Sequence, residues 1–116
     1  MAYDDKLAER IREALSKIAS INVEEKRMFR GIAFMVNGKM CLNVSNDELM
    51  CRINPDLYEE LVKKNGCRPV IMKDRPAKGY IYVSQDVLKQ QRDFDYWINL
   101  CLEFNRIAKS SKKKKS

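Results

Sequence analysis

The chain has 116 residues, 45% of them hydrophobic and 34% charged, and a formal net charge of +7. A chain of this length buries roughly 65% of its extended surface in one core, so the composition excludes wholesale disorder and favours a single folded domain. No apolar run approaches the ~20 residues that span a bilayer. The acidic start, Met1-Ala2-Tyr3-Asp4-Asp5, lacks the basic-then-apolar layout of a secretory leader, which points to a cytoplasmic protein with no membrane partner.

The charge divides unevenly. The last eight residues, 109–116, hold five lysines and no acid, leaving 18 basic against 16 acidic residues before them. The expected organisation is a folded domain over 1–108 and a disordered Lys-rich tail over 109–116. Cysteines stand at 41, 51, 67 and 101, with no Cys-x-x-Cys pair and no histidine anywhere. That spacing gives neither a zinc site nor an exported disulfide framework, so the four read as reduced thiols packed like small hydrophobes, with no metal and no cofactor expected.

In chain order, residues 4–20 read as an amphipathic helix, with Leu7, Ile11, Ala14, Leu15 and Ile18 on one stripe and Asp4 as N-cap. From Val23 to Ile53 the pattern alternates with period two. The strongest hairpin signal is Val36-Asn37-Gly38-Lys39, since a type I′ turn needs positive φ at both centres. It predicts Met35 opposite Met40, Phe34 opposite Cys41 and Ala33 opposite Leu42. A turn at Asn46-Asp47 pairs Val44 with Leu49 and Leu42 with Cys51. A turn at Arg30-Gly31 pairs Phe29 with Ile32 and Met28 with Ala33. The expectation is a four-stranded meander over about 24–29, 32–36, 39–45 and 48–53.

Strict alternation sorts this meander onto two faces. Met28, Ala33, Met35, Met40, Leu42, Val44, Leu49, Cys51 and Ile53 fall on one, the better core face. Phe29, Ile32, Phe34, Val36, Cys41 and Met50 fall on the other, among Arg27, Lys39, Asn43, Glu48 and Arg52. The second set is too apolar for a solvated sheet surface, which leaves two readings: a partner interface, or a face covered within one subunit by a terminal helix or by the strand pair 68–83.

Asn54-Pro55 starts a short helix that stops at Asn65-Gly66. Residues 68–73 form a weak edge strand, 74–79 a polar loop, and 80–83 a strand; Ser84 caps a last helix striped with Phe94, Trp97, Ile98, Cys101, Leu102 and Phe104. Grouped strands with helices before and after them define an α+β fold, an antiparallel sheet made of a meander plus a C-terminal strand pair packed with N- and C-terminal helices.

For chemistry the pattern offers little. Without histidine, the usual Ser/His/Asp and Cys/His systems are missing, and four glycines form no phosphate-binding loop. Adjacent carboxylates at Asp4-Asp5, Glu24-Glu25 and Glu59-Glu60 cannot converge on one atom. No catalytic residue is assigned. Cys41, placed near Arg52 by the expected register, is the one candidate for a reactive thiol, against a plain packed cysteine. Two basic groups remain: Lys26, Arg27 and Arg30 on the first hairpin, and Arg75 and Lys78 in the polar loop.

The stretch from Val23 to Met40, with Lys26-Arg27-Met28-Phe29-Arg30-Gly31 followed by an apolar strand and the Asn37-Gly38 turn, resembles the N-terminal domain of the TfoX (Sxy) competence-regulator family. So does Arg75-Pro76-Ala77-Lys78-Gly79-Tyr80, and with the flanking helices the resemblance spans about 2–107, as a stand-alone form. It implies a small α+β fold similar to that of secretion chaperones, with a strongly bent sheet, and a role in regulating DNA uptake and competence genes. It supplies no catalytic residues.

Three expectations follow. The leading one is a non-catalytic regulatory protein-interaction module, homodimeric or bound to another protein, using Phe29, Ile32, Phe34, Val36 and Met50 as its interface. The second is nucleic-acid binding through the tail and Lys26, Arg27, Arg30, Arg75 and Lys78. The third is an enzyme or small-ligand binder using Cys41, Arg52 or Arg75.

Overall fold

The computed structural model describes residues 4–28 and 31–108, the side chain of Met28 excepted. The elements are α1 (Asp5–Ser16), β1 (Val23–Met28), β2 (Gly31–Val36), β3 (Lys39–Ser45), β4 (Glu48–Arg52), a 3₁₀ turn (Pro55–Leu57) running into α2 (Tyr58–Leu61), β5 (Cys67–Met72), β6 (Arg75–Ser84), α3 (Gln85–Leu88) and α4 (Gln91–Ile107). The fold is α+β. All six strands form one antiparallel sheet in the order β1-β2-β3-β4-β6-β5.

Local chemistry sets the helix starts. The Asp4 carboxylate accepts the Lys6 and Leu7 backbone N–H groups at 2.8 and 3.1 Å and a hydrogen bond from the Gln85 side chain. The Asp4 N–H donates to Asn46 O at 2.7 Å, so this cap also ties α1 to the β3–β4 turn and to α3. Asn54 accepts from Asp56 N and Ser84 from Asp86 N. The Leu7 amide, ahead of the Gln85 and Lys6 donors, holds the Asp4 carboxyl below its ordinary value of 3.8. A depressed folded-state value stabilises the fold at pH above the ordinary value, and that contribution disappears as pH falls below it. Urea midpoints measured against pH therefore fall faster for the native chain than for Asp4→Asn below about pH 4, because Asn keeps the cap without a titrating proton.

Turns fix the registers. Asn37 and Gly38 take φ of 53° and 82°, and Met35 stands opposite Met40 as the Asn-Gly turn predicts. Val44–Leu49 and Leu42–Cys51 are likewise paired as expected across the turn at Asn46.

Two registers depart from expectation. On β1–β2, Arg27 pairs with Ile32 and Lys26 with Ala33, which moves the connection off Arg30-Gly31. Gly31 is the cause: a Cβ there would lie 1.8 Å from Val44 O, so it belongs to the strand, where backbones approach closely. On β2–β3 the register shifts between Phe34 and Met35, and Phe34 pairs with Leu42 rather than Cys41. Cys41 is the extra residue of a β-bulge, so Met40 and Leu42 turn to opposite faces although two positions apart.

That bulge redistributes the side chains. Ile32, Phe34, Val36, Cys41, Leu42, Val44, Leu49, Cys51 and Ile53 share one core with Leu7, Ala8, Ile11 and Leu15 of α1 and with Phe94, Trp97, Ile98 and Cys101 of α4. Arg10 braces this layer, donating to Leu88 O at 2.7 Å with its guanidinium 4.0 Å above the Phe94 ring. Lys39 Nζ donates to Asn105 O and Ala108 O at 2.6 and 3.0 Å and completes the end of α4.

The other face holds a second core of Ala33, Met35, Met40, Met50 and Val70, with Met72, Tyr80 and Tyr82 packed beside it. No described helical residue belongs to it. Val70 lies on β5, beyond β6 from the β2–β4 methionines it joins, and is 3% exposed. Met72 of β5 and Tyr80 and Tyr82 of β6 pack on the same cluster, so the β5–β6 hairpin supplies part of the cover of this face.

The stretch 74–79, expected as a loop, is the first half of β6. Lys73 and Asp74, with φ of 51° and 65°, form the tight turn that a Lys-Asp dipeptide does not advertise. The last helix is broken in two: Ser84 caps the short α3, and α4 begins separately at Gln91.

Candidate functional site

The predicted interface residues do not form a surface. Phe34 is 0%, Val36 1% and Met50 1% exposed, and Ile32 is also buried. Ile32, Phe34 and Val36 sit beneath the helices, with Asn105 Nδ2 of α4 donating to Val36 O at 3.2 Å, whereas Met50 lies on the opposite side beneath the β5–β6 cover. Phe29 lies outside the described residues. The apolar excess that suggested an interface reflects a sheet with a core on each side, and the correction follows from the Cys41 bulge and the packing of β5–β6 residues on the second face.

The predicted basic residues also separate. Lys26 and Arg27 are exposed on β1 at one edge of the sheet, Arg75 and Lys78 lie on β6 with β2, β3 and β4 between, and Arg30 is outside the described residues. Arg75 and Lys78 instead fall within a cationic stretch of the chain that the sequence reading did not count as a unit. Residues 63–78 contain Lys63, Lys64, Arg68, Lys73, Arg75 and Lys78 with Asp74 as the single acid, and all six cations are exposed. The net charge of +2 outside the tail thus divides into +5 on this segment and −3 on the rest. The signal was present as a local count, hidden because the segment spans the connection after α2, β5, a turn and the start of β6.

Three of these cations are partly engaged. Arg68 makes a two-pronged ion pair with Glu48 at 2.8 and 2.5 Å and lies 4.4 Å over the Tyr82 ring. Lys78 is 3.9 Å from Glu59, and Lys64 Nζ is 5.4 Å from the Tyr96 ring. Both pairings are at the surface, where such contacts are weak. Amid the cations stand exposed Pro69 and Pro76 and the side chain of Ile71, which is 57% exposed. Val70 and Met72 turn into the second core, so Ile71 between them points away from it, directly opposite Pro76. An isoleucine this open is not part of either core.

Cys41 is no activated thiol. Burial, aided by Cys101, pushes its pKa far up, and Arg52 opposes this only weakly. Burial and the neighbouring Cys51 raise Cys101 in the same way, and burial raises Cys67 to about 11. At neutral pH a thiol reagent therefore labels the folded chain slowly, at half-buried Cys67 first, and reaches Cys41, Cys51 and Cys101 only on unfolding. Mass mapping of labelled peptides checks this; early modification of Cys41 contradicts it. Among the described residues, no group of three or more Cys, Asp or Glu side chains is arranged to hold a metal ion. A groove of about 490 Å³ is lined by Lys64, Asp86, Val87, Asp93, Tyr96 and Trp97 among others, and brings no thiol to its carboxylates.

These features define a small α+β domain with one antiparallel sheet, the described helices on one face only, and an exposed cationic hairpin at one edge. The family model of the TfoX N-terminal domain matches residues 4–105, nearly the whole chain, and the chain belongs to that family. No curated protein and no solved structure matches it. No described helix is long and apolar enough to cross a membrane.

Proposed function

We propose that this chain is a non-catalytic regulatory module that acts in the cytoplasm by binding another protein, and that it does so through the β5–β6 hairpin rather than through either face of the sheet. The observation that carries this reading is Ile71, 57% exposed between exposed prolines while the predicted interface residues that are described are sealed inside the subunit. An apolar centre inside a charged rim is the common anatomy of a protein-binding patch. Family membership supports a regulatory setting, with control of competence genes as the role the family label suggests.

The test is a photo-crosslinking amino acid at position 71, compared in cells with the same group at exposed Lys17, the C-cap of α1. Discrete protein adducts from position 71 and none from position 17 are expected. A folded chain that crosslinks to nothing from position 71 overturns the reading.

A further inference from the structure

We infer that the surface taken by the β5–β6 hairpin is an acidic protein segment with an apolar side chain at its centre. The inference rests on the hairpin being the binding surface and adds what binds there.

Charge decides first. Residues 63–78 carry six cations and one acid, all six cations exposed, whereas the rest of the chain before the tail is net negative. Electrostatic complementarity steers a segment with this charge excess towards anionic partners. A second copy presenting the same hairpin, whose residues 67–84 carry Arg68, Lys73, Arg75 and Lys78 against Asp74, brings +3 against +3, so a symmetric self-contact here is disfavoured.

The apolar centre decides next. Ile71 and Pro76 are directly opposite in the β5–β6 register and both exposed, so they form one small greasy step, with Lys73 and Arg75 at the adjoining turn. A phosphate backbone gives that step nothing to bury. Single-stranded nucleic acid needs open aromatic faces for its bases, but the Tyr82 ring on this hairpin is already covered by Arg68, itself clamped by Glu48. An acidic peptide satisfies both halves of the patch: carboxylates meet the cations, and an apolar side chain covers Ile71 and Pro76.

The test uses the full chain with its five tail lysines changed to glutamine, so that the tail does not compete. Three fluorescent probes are titrated: a glutamate peptide with a central leucine, the same peptide with glutamate throughout, and oligothymidylate. The leucine peptide is expected to bind about tenfold more tightly than the all-glutamate one. Ile71→Ser should remove that difference, Lys73→Glu with Arg75→Glu should remove binding of both peptides, and Lys26→Glu with Arg27→Glu on the opposite edge should change neither. Equal binding of the two peptides, preference for oligothymidylate, or indifference to the hairpin variants in a chain with unchanged melting temperature overturns the inference. Adducts from position 71 combined with any of those results leave the hairpin as the binding surface and remove only the acidic, apolar-centred partner. Loss of the adducts removes both.

Discussion

Phe34→Ala unfolds this protein or brings it close to unfolding, with a loss of about 3–5 kcal/mol read from urea denaturation. Phe34 is 0% exposed in the centre of β2, where it meets Leu42 across the strand pair and lies in the core shared with α1 and α4. Removing the ring leaves a cavity that those elements cannot close without shifting the sheet. A small domain has only about 5–15 kcal/mol in reserve, so this one change takes a large part of it. If Phe34 instead belonged to a partner interface, Phe34→Ala would leave monomer stability nearly unchanged and alter association alone. A loss below about 1 kcal/mol contradicts the position given to it here.

Gly31→Ala has an effect of similar size from a smaller chemical change. The added methyl carbon would sit 1.8 Å from Val44 O and 2.8 Å from Val44 C, both backbone atoms of the neighbouring strand. No rotamer relieves a clash with backbone, so β2 and β3 must separate locally at the Gly31–Ser45 end of their ladder. Overpacking in a formed core costs typically 1–3 kcal/mol, and a contact this short belongs at or above the upper end. Gly38→Ala is the contrast: its site has φ of +82° and nothing within 4 Å, so it suffers backbone strain alone, about 1 kcal/mol. Chemical denaturation of the two variants side by side checks the order, and a Gly31→Ala chain as stable as Gly38→Ala contradicts it.

Both results bear on how far the sequence could be read. Asn37-Gly38, the Asp4 cap and the Asn54-Pro55 start each express a local backbone requirement, and each falls where the pattern put it. The family resemblance, carried by the hairpin around Asn37-Gly38 and by Arg75 to Tyr80, is supported by the family match over 4–105. What alternation could not supply was long-range. The bulge at Cys41 depends on how β2 and β3 twist against each other, and one unmatched residue put Met40 and Leu42 on opposite faces. Period-two sorting then mixed the two cores and left a false apolar surface.

The real candidate surface was obscure for a related reason. Lys73-Asp74 is a poor turn dipeptide by composition, so residues 74–79 looked like a loop, and the register that sets Ile71 beside Pro76 could not be drawn. Exposure of Ile71 is likewise a tertiary fact: Val70 and Met72 beside it are equally apolar and turn inward. The separation of Lys26 and Arg27 from Arg75 and Lys78 follows from strand order, which puts β1 at one edge and the β5–β6 pair at the other.

Peroxide oxidation of methionines, followed by peptide mass mapping at a concentration where the chain sediments as a monomer, bears most directly on the sealing of the sheet. With β5–β6 packed on the second core, Met35, Met40 and Met50, none more than 6% exposed, resist oxidation, while the half-buried Met72 reacts first of these four. If Met35, Met40 and Met50 in the folded monomer oxidise as fast as Met72, that face of the sheet is open to solvent, and the hairpin loses its place as the binding surface.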